Sequence, residues 1–301
     1  MNLAPTLLLL LYCLAIAGFS LVGGLLPNWV RMTHTRTQVA MSLVSGLMLG
    51  VAFYHLLPHS IAMLGGPAAT DVSVQWLMLG LVTMLLLLRM FHFHQHDFSP
   101  EEERQHEHEH EHDHDHGHGH GHGVAAPAHR MSWAGLALGL GVHTLIDGIA
   151  LGAVMQGEIA DGATGLVGLG VFLAIFLHKP LDAMSITTLM AAGGWSRTAR
   201  ATSNVLFALL CPLGALLFFY GVDLLGDSRD YMVAAALAFS AGAFICIALS
   251  DLLPEVQFHS HDRTKLTLAF LLGLGLAYGI GALEPSEFHL PTPAQLEGSH
   301  D

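Results

Sequence analysis

The chain has 301 residues, of which 52% are hydrophobic and only 12% are charged, whereas soluble domains carry roughly a quarter charged residues. The mean hydropathy is +0.53, and the formal net charge of −13 is unsuited to a nucleic-acid partner, which needs a basic surface. All three cysteines fall in apolar runs and indicate no disulfide framework. The composition therefore excludes a soluble enzyme, a nucleic-acid-binding protein and a secreted disulfide scaffold.

Eight apolar stretches follow one another along the chain, each long enough to cross about 30 Å of hydrocarbon as a helix. They are predicted over residues 3–26, 38–60, 73–91, 131–155, 164–190, 200–222, 231–253 and 266–284. The first is too long for a signal peptide and lacks a basic leading region, so we expect a retained span. The sequence thus predicts an all-α integral membrane protein with eight transmembrane helices.

The basic residues predict how these spans are oriented, because cytoplasmic loops carry an excess of Lys and Arg. With the N-terminus outside, the outer loops contain only Arg229. The inner loops then contain Arg31, Arg36, Arg89, Arg104, Arg130, Arg197, Arg200, Arg263 and Lys265. We therefore expect both termini outside. The short outer loops suit a bacterial inner membrane, and the oligomeric state is left open, with a homodimer as one option.

Composition divides the chain into five segments. They are residues 1–91 with spans 1–3, residues 92–130 as a polar loop, residues 131–190 with spans 4–5, residues 191–284 with spans 6–8, and residues 285–301 as a short external tail. The loop contains EHEHEHDHDHGHGHGHG, has no apolar periodicity, and is expected to be disordered and cytoplasmic.

The alternation of imidazoles and carboxylates in this loop suits Zn²⁺ and similar ions. We interpret it as a metal buffer or sensor, the alternative being a low-complexity repeat with incidental affinity. Its candidate ligands are His106, His108, His110, His112, His114, His116, His118, His120 and His122.

Two matched His–Asp pairs lie within predicted spans. Span four reads HTLIDG, with His143 and Asp147, and span five reads HKPLDA, with His178 and Asp182. Residues four apart share one helix face, so two such faces turned together offer two imidazoles and two carboxylates, a complete ligand set for a divalent transition metal. A charged group at mid-bilayer costs about 2.5–3.5 kcal/mol on insertion scales. This cost favours a metal site over polar pairs that merely join helices.

A pair of related pentapeptides ends spans two and seven. HLLPH runs from His55 to His59, and DLLPE runs from Asp251 to Glu255. With the orientation above they lie near opposite faces of the membrane, as inverted repeats of spans 1–3 and 6–8 would place them. We interpret the four polar residues as gates of a metal pathway; interfacial residues reaching for headgroups or water are the alternative.

Together these features resemble the ZIP (Zrt/Irt-like protein) family of divalent metal transporters. The resemblance rests on HLLPHS in span two, H-x-x-x-D-G in span four and H-x-x-x-D in span five, with a histidine-rich loop after span three. It implies a 3+2+3 arrangement of spans and metal uptake towards the cytoplasm, without enzymatic activity or a cofactor. The transported substrate would be Zn²⁺, or Fe²⁺, Mn²⁺ or Cd²⁺, bound by His143, Asp147, His178 and Asp182.

One departure from the family pattern changes the expected chemistry. Many members have a second metal site at positions that correspond here to Thr144, Lys179 and Cys211, the last within CPLG where the family often has EPLG. A protonated ammonium cannot bind a metal and repels a cation. We hypothesise that Lys179 takes the place of the second metal, with its positive charge neutralising Asp182 or Asp147, so that the site binds one ion rather than two. The alternative is that its side chain extends away from the site.

Two other classes of protein keep metals among helices. A cation diffusion facilitator-like exporter also pairs H-x-x-x-D motifs, but it would have six spans and a folded cytosolic tail. An intramembrane metalloprotease would need H-E-x-x-H with a glutamate base, and HKPLD has Lys179 in that position. A metal sensor with a plain membrane anchor would have no need of the deep His–Asp pairs.

Overall fold

A computed structural model describes residues 3–29, 34–91, 132–163, 165–258 and 263–283, and all regular secondary structure in these ranges is helical. The predicted histidine loop with its nine candidate ligands lies outside the described residues, as does the predicted tail at 285–301. The α-helices in the described ranges are α1 (Leu3–Trp29), α2 (His34–Val51), α3 (Leu57–Leu64), α4 (Ala69–Phe91), α5 (Ser132–Ala160), α6 (Leu169–Ala192), α7 (Arg197–Gly221), α8 (Arg229–Phe258) and α9 (Arg263–Leu283).

Seven helical segments of the described chain are long and apolar enough to cross a membrane. One of them, Arg197–Ser250, has 54 residues and combines α7, a 3₁₀ segment at Val222–Ser228 and most of α8. Many large apolar side chains on α1, α4, α7 and α9 are exposed, among them Leu14, Leu86, Leu217 and Leu272. Such a surface suits lipid rather than water. The predicted class of all-helical membrane protein is confirmed.

The helix of span five begins later than predicted. Residue 164 was the expected start, but α6 begins at Leu169. The preceding loop contains Gly162, Gly165 and Gly168 with φ angles of 79°, 105° and 73°, a left-handed conformation that breaks a helix and that glycine adopts without strain. The apolar residues between these glycines extended the hydropathy pattern beyond the helix itself.

The helices pack mainly in pairs, α2 along α9, α4 along α8, α5 along α7 and α1 along α6. Glycines bring the first two pairs into close contact. A Cβ atom added at Gly46 of α2 would lie 2.0 Å from the carbonyl oxygen of Phe270 in α9, and one added at Gly242 of α8 would lie 1.9 Å from that of Leu77 in α4. Small residues thus set the helix spacing, as is common in membrane proteins.

Replacing Gly242 with Ala is predicted to destabilise the fold by about 1–3 kcal/mol, because the added methyl group meets the α4 backbone and forces the helices apart. The thermal unfolding midpoint of the detergent-solubilised protein measures this effect. Gly275→Ala is the matched control, since a Cβ atom at that helical position meets nothing within 4 Å. Equal midpoints for the two variants would contradict this account of the helix spacing.

Candidate metal centre

The two His–Asp motifs face each other in the structure. His143 and Asp147 lie on α5, and His178 and Asp182 lie on α6. Oδ2 of Asp147 is 3.4 Å from Nε2 of His143 and 3.2 Å from Nε2 of His178. Oδ2 of Asp182 is 3.5 Å and 3.7 Å from the same two nitrogens. Each residue therefore directs one potential ligand atom towards a common point.

These separations are those of a tetrahedral metal site. Bonds of about 2.0–2.2 Å from Zn²⁺ to its ligands place the ligand atoms roughly 3.3–3.6 Å apart. The four ligand atoms here all lie within 4.8 Å of one another, and among the described residues they are the one group of three or more His, Cys, Asp or Glu that meets this condition. The set of two nitrogens and two oxygens fits a divalent transition metal.

Hydrogen bonding fixes the orientation of the His178 ring. Its Nδ1–H donates to the carbonyl oxygen of Ala174, one turn earlier in α6, at 2.8 Å. This bond fixes the tautomer, so in the neutral ring the lone pair lies on Nε2, which faces the centre. Nδ1 of His143 and Oδ1 of Asp147 are buried without a hydrogen-bond partner among the described residues. The protein alone thus leaves polar atoms of this centre unsatisfied.

The burial of the four residues is uneven. The Asp147 side chain is fully buried and that of His143 is 2% exposed, whereas that of Asp182 is 17% exposed. Asp182 is therefore the corner of the centre that an ion can reach most directly.

Lys179 lies within the centre. Its Nζ donates to Oδ2 of Asp147, to Oδ2 of Asp182 at 3.0 Å and to Oγ1 of Thr144 at 3.1 Å. These bonds use all three ammonium hydrogens, and the side chain is 1% exposed. Lys179 is thus paired with both carboxylates of the predicted metal site, and its side chain does not extend away from it.

Small and rigid residues bring the neighbouring helices close to the centre. A Cβ atom at Gly148, the glycine of HTLIDG, would lie 2.2 Å from the carbonyl oxygen of Cys211, so α5 lies directly on α7. A Cβ atom at Gly23 of α1 would lie 2.2 Å from Cα of Pro180 in α6. The Cys211 side chain is buried, and the centroid of the Phe207 ring lies 5.7 Å from Nζ of Lys179. The helices α1 and α7 thus enclose the motif helices.

The first predicted gate has its own hydrogen bonds. His55 lies in a π-helical segment, Ala52–Leu56, between α2 and α3, and its Nε2 donates to the carbonyl oxygen of Ala277 in α9 at 2.9 Å. Nδ1 of His59 donates to the carbonyl oxygen of His55 at 3.0 Å. Burial raises the pKa of Asp161, and His59 opposes this shift. The gate role of the two histidines stays a prediction.

The second predicted gate lies on the last turns of α8. The helix extends to Phe258, but the side chains of Asp251 and Glu255 lie outside the described residues. Their role as a gate also stays a prediction.

Two contributions to the centre carry no recognisable signal in the sequence. The carbonyl oxygen of Ala174 orients His178, and the ring of Phe207 lies beside Lys179. The first is a backbone atom, which every residue has, and the second depends on how α7 packs.

The prediction for span four ends at residue 155 and therefore misses Glu158. Its Oε2 accepts a hydrogen bond from the backbone N–H of Gly168 at 2.8 Å and ties α5 to the start of α6.

Comparison with known proteins gives one consistent result. The family model described as ZIP Zinc transporter matches residues 6–282. Zinc transporter ZIP9-B of Xenopus laevis is 34% identical over 154 residues, which cover 49% of this chain and 46% of that protein. Zinc transporter 3 of Arabidopsis thaliana is 25% identical over 274 residues, which cover 86% of this chain and 77% of that protein.

The matched region is shorter in other relatives. Zinc transporter ZIP9 of Micropogonias undulatus is 34% identical over 131 residues, which cover 42% of this chain and 40% of that protein. The chain therefore spans about half the length of the first curated relatives it matches. The family match, in contrast, covers nearly the whole chain and includes both His–Asp motifs. This chain belongs to the ZIP family of zinc transporters.

Proposed function

We propose that this protein carries Zn²⁺ across a membrane towards the cytoplasm through the His–Asp centre between α5 and α6. The observation that carries the proposal is the convergence of two imidazole nitrogens and two carboxylate oxygens within 4.8 Å on two helices apolar enough to span a bilayer. The metal is the transported substrate, and the proposal includes no catalytic step. The relatives named as zinc transporters favour zinc among the divalent metals that this ligand set accepts.

The depth of the centre supports transport. His143 and Asp147 lie near the middle of the 29 residues of α5, and His178 and Asp182 lie near the middle of the 24 residues of α6. Secondary transporters bind their substrates near the bilayer midplane, where an ion is equally far from both faces. A metal-loaded anchor or a surface buffer has no need of ligands at that depth.

An eight-span topology accounts for the long segment Arg197–Ser250. Its 54 residues would extend roughly 80 Å as one helix, more than twice the hydrocarbon thickness. The segment bends at Gly226, whose φ of 55° and ψ of −123° are not helical. We therefore propose that α7 and α8 cross separately. The spans are then α1, α2 with α3, α4, α5, α6, α7, α8 and α9.

Helix packing supports inverted repeats in a 3+2+3 arrangement. In these repeats α1 corresponds to α7, α2 to α8, α4 to α9, and α5 to α6. Under this correspondence, the α2–α9 pair matches the α8–α4 pair, and the α5–α7 pair matches the α6–α1 pair. All four of these pairs pack extensively. The close glycine contacts follow the same exchange, because Gly46 lies nine residues before His55 and Gly242 lies nine residues before Asp251. The two pentapeptides thus occupy equivalent places in the proposed repeats.

We propose that the centre holds one ion, with Lys179, Thr144 and Cys211 in place of a second metal site. An ion bound to Oδ2 of both aspartates would lie within about 5 Å of the Lys179 ammonium, and the repulsion between such charges is at least roughly 7 kcal/mol at an effective dielectric constant of 20. A second divalent ion would meet this repulsion and that of the first ion as well. The buried ammonium thus favours a single substrate ion.

The proposed route follows the predicted orientation, with both termini outside and the histidine loop in the cytoplasm. The ion enters past His55 and His59, binds at the centre and leaves past Asp251 and Glu255. The basic residues at the predicted inner ends of the spans support this orientation. Assignment to a bacterial inner membrane stays a prediction from the short outer loops.

Removal of a ligand tests the centre directly. His178→Ala and Asp182→Ala are each predicted to lower zinc uptake into proteoliposomes at least about 100-fold, because even changes around a ligand cost 10–100-fold in metal affinity. Ser185→Ala on the same helix is the matched control, since its exposed hydroxyl donates only to the Leu181 carbonyl in the described structure. Uptake at the control rate by both ligand variants would contradict the assignment.

Metal stoichiometry tests the single-ion proposal. After deletion of residues 92–130, which removes the loop histidines, the purified protein is predicted to bind one zinc ion per chain with an affinity that His143→Ala abolishes. Elemental analysis after equilibrium dialysis gives the ratio. Two ions per chain, both lost in His143→Ala, would contradict the single-ion centre and leave the transport proposal intact.

A further inference from the structure

The ammonium of Lys179 bonds to the same atoms that a metal needs. Nζ bonds to Oδ2 of Asp147 and to Oδ2 of Asp182, and these are the oxygens that face the imidazole nitrogens at 3.2–3.7 Å. Lys179 therefore does more than occupy a neighbouring site. In the structure it already holds the oxygen half of the ligand set.

The empty centre needs this positive charge. Asp147 is fully buried and Asp182 is partly buried, and two adjacent carboxylates without a counter-ion are unfavourable in such surroundings. In the part of the chain that the structure describes, Lys179 forms ion pairs with both Asp147 and Asp182. The other described basic side chains paired with these two aspartates are those of the two histidines. When the substrate leaves, Lys179 is thus in position to compensate part of the charge of the two carboxylates.

We propose that Lys179 is a tethered counter-ion that exchanges with the transported metal. In the empty carrier its ammonium holds Oδ2 of both aspartates and neutralises part of their charge, and an arriving ion displaces it from those oxygens. Release of the ion lets the ammonium return, and the compensated centre moves back across the membrane without cargo. This inference rests on the proposed transport function and identifies the residue that resets the centre.

The structure provides a place for the displaced ammonium. Oδ1 of Asp147 is buried and has no hydrogen-bond partner among the described residues. Rotation of this carboxylate lets Oδ2 bind the metal while Oδ1 accepts from Nζ. Oγ1 of Thr144, now 3.1 Å from Nζ, and the face of Phe207 at 5.7 Å can stay beside the ammonium. The exchange thus needs a short movement of the Lys179 side chain and a rotation of the Asp147 carboxylate, and the ammonium keeps its charge throughout.

The small number of lysines permits a direct test on the full chain. The sequence contains two lysines, Lys179 and Lys265, so Lys265→Arg leaves Lys179 as the sole source of an NMR signal from lysine labelled with ¹³C at Cε. Addition of Zn²⁺ is expected to shift the Lys179 signal to a new chemical shift. The change should be complete when one ion is bound to the centre. The same titration of the His143→Ala, Lys265→Arg variant, which keeps the loop histidines, is expected to leave the signal unchanged.

The outcomes separate the two proposals. Zinc bound at the centre with no change in the Lys179 signal would overturn the exchange and leave the metal site standing. If His143→Ala binds zinc and transports it as well as the unmodified chain, the proposed route through the His–Asp centre fails.

A second test compares two modes of transport. Lys179→Met removes the charge while keeping the length of the side chain, and Lys179→Arg keeps the charge. The Met variant is expected to bind Zn²⁺ at least about tenfold more tightly, because the competitor and its repulsion are gone. Its exchange of external for internal zinc should continue, because the carrier holds zinc when it crosses the membrane in either direction. Its net uptake should fall at least about tenfold, because net uptake requires the carrier to return without zinc.

The Arg variant is expected to keep more net uptake than the Met variant. Unchanged or weaker zinc affinity in a correctly folded Met variant would overturn the inference, and so would an equal loss of exchange and net uptake. The NMR titration keeps the inference testable if the Met variant does not fold, because it leaves Lys179 in place.

Discussion

The pairing of Asp147 and Asp182 with the ammonium of Lys179 is the interaction on which the rest of this structure depends. Burial of an ionised group costs several kcal/mol even after relaxation, and here two carboxylates and an ammonium lie together among helices. Such a cluster persists when its charges compensate each other and its hydrogen bonds are made. It also stays partly unsatisfied, since Oδ1 of Asp147 is without a partner among the described residues.

The surrounding helices hold this cluster by close contact. Gly148 lies on the backbone of Cys211, and Gly23 lies on Pro180, so α7 and α1 press against the two helices that carry the ligands. Further from the centre, glycines join α2 to α9 and α4 to α8. Close contacts of this kind fix the positions of the two helices that carry the ligands.

Much of the centre can be predicted from the sequence, because its geometry is local. His143 with Asp147 and His178 with Asp182 lie four residues apart, and helix periodicity alone places each pair on one face. The facing of the two helices follows less directly, from the cost of leaving such groups in lipid. The start of α6 was misplaced, since hydropathy does not distinguish the apolar residues of a glycine-rich loop from those of a helix.

Helix periodicity alone does not give the position of Lys179. The family resemblance suggested a stand-in for a second metal that neutralises Asp182 or Asp147, but whether Nζ reaches both aspartates depends on how α5 packs against α6. The bond from His55 to the Ala277 carbonyl likewise joins residues 222 positions apart. Such contacts depend on the tertiary arrangement, and a single sequence states neither the helix pairing nor the side-chain conformation that produce them.

The central claim is that one metal ion binds between α5 and α6. Anomalous diffraction at the zinc absorption edge, from crystals of the protein grown with zinc, measures the position of that ion directly. The account predicts a peak between Nε2 of His143 and His178 and Oδ2 of Asp147 and Asp182, with bonds of about 2.0–2.2 Å and Nζ of Lys179 moved away from those oxygens. Zinc found only on the loop histidines, with this centre still held by Lys179, would contradict it.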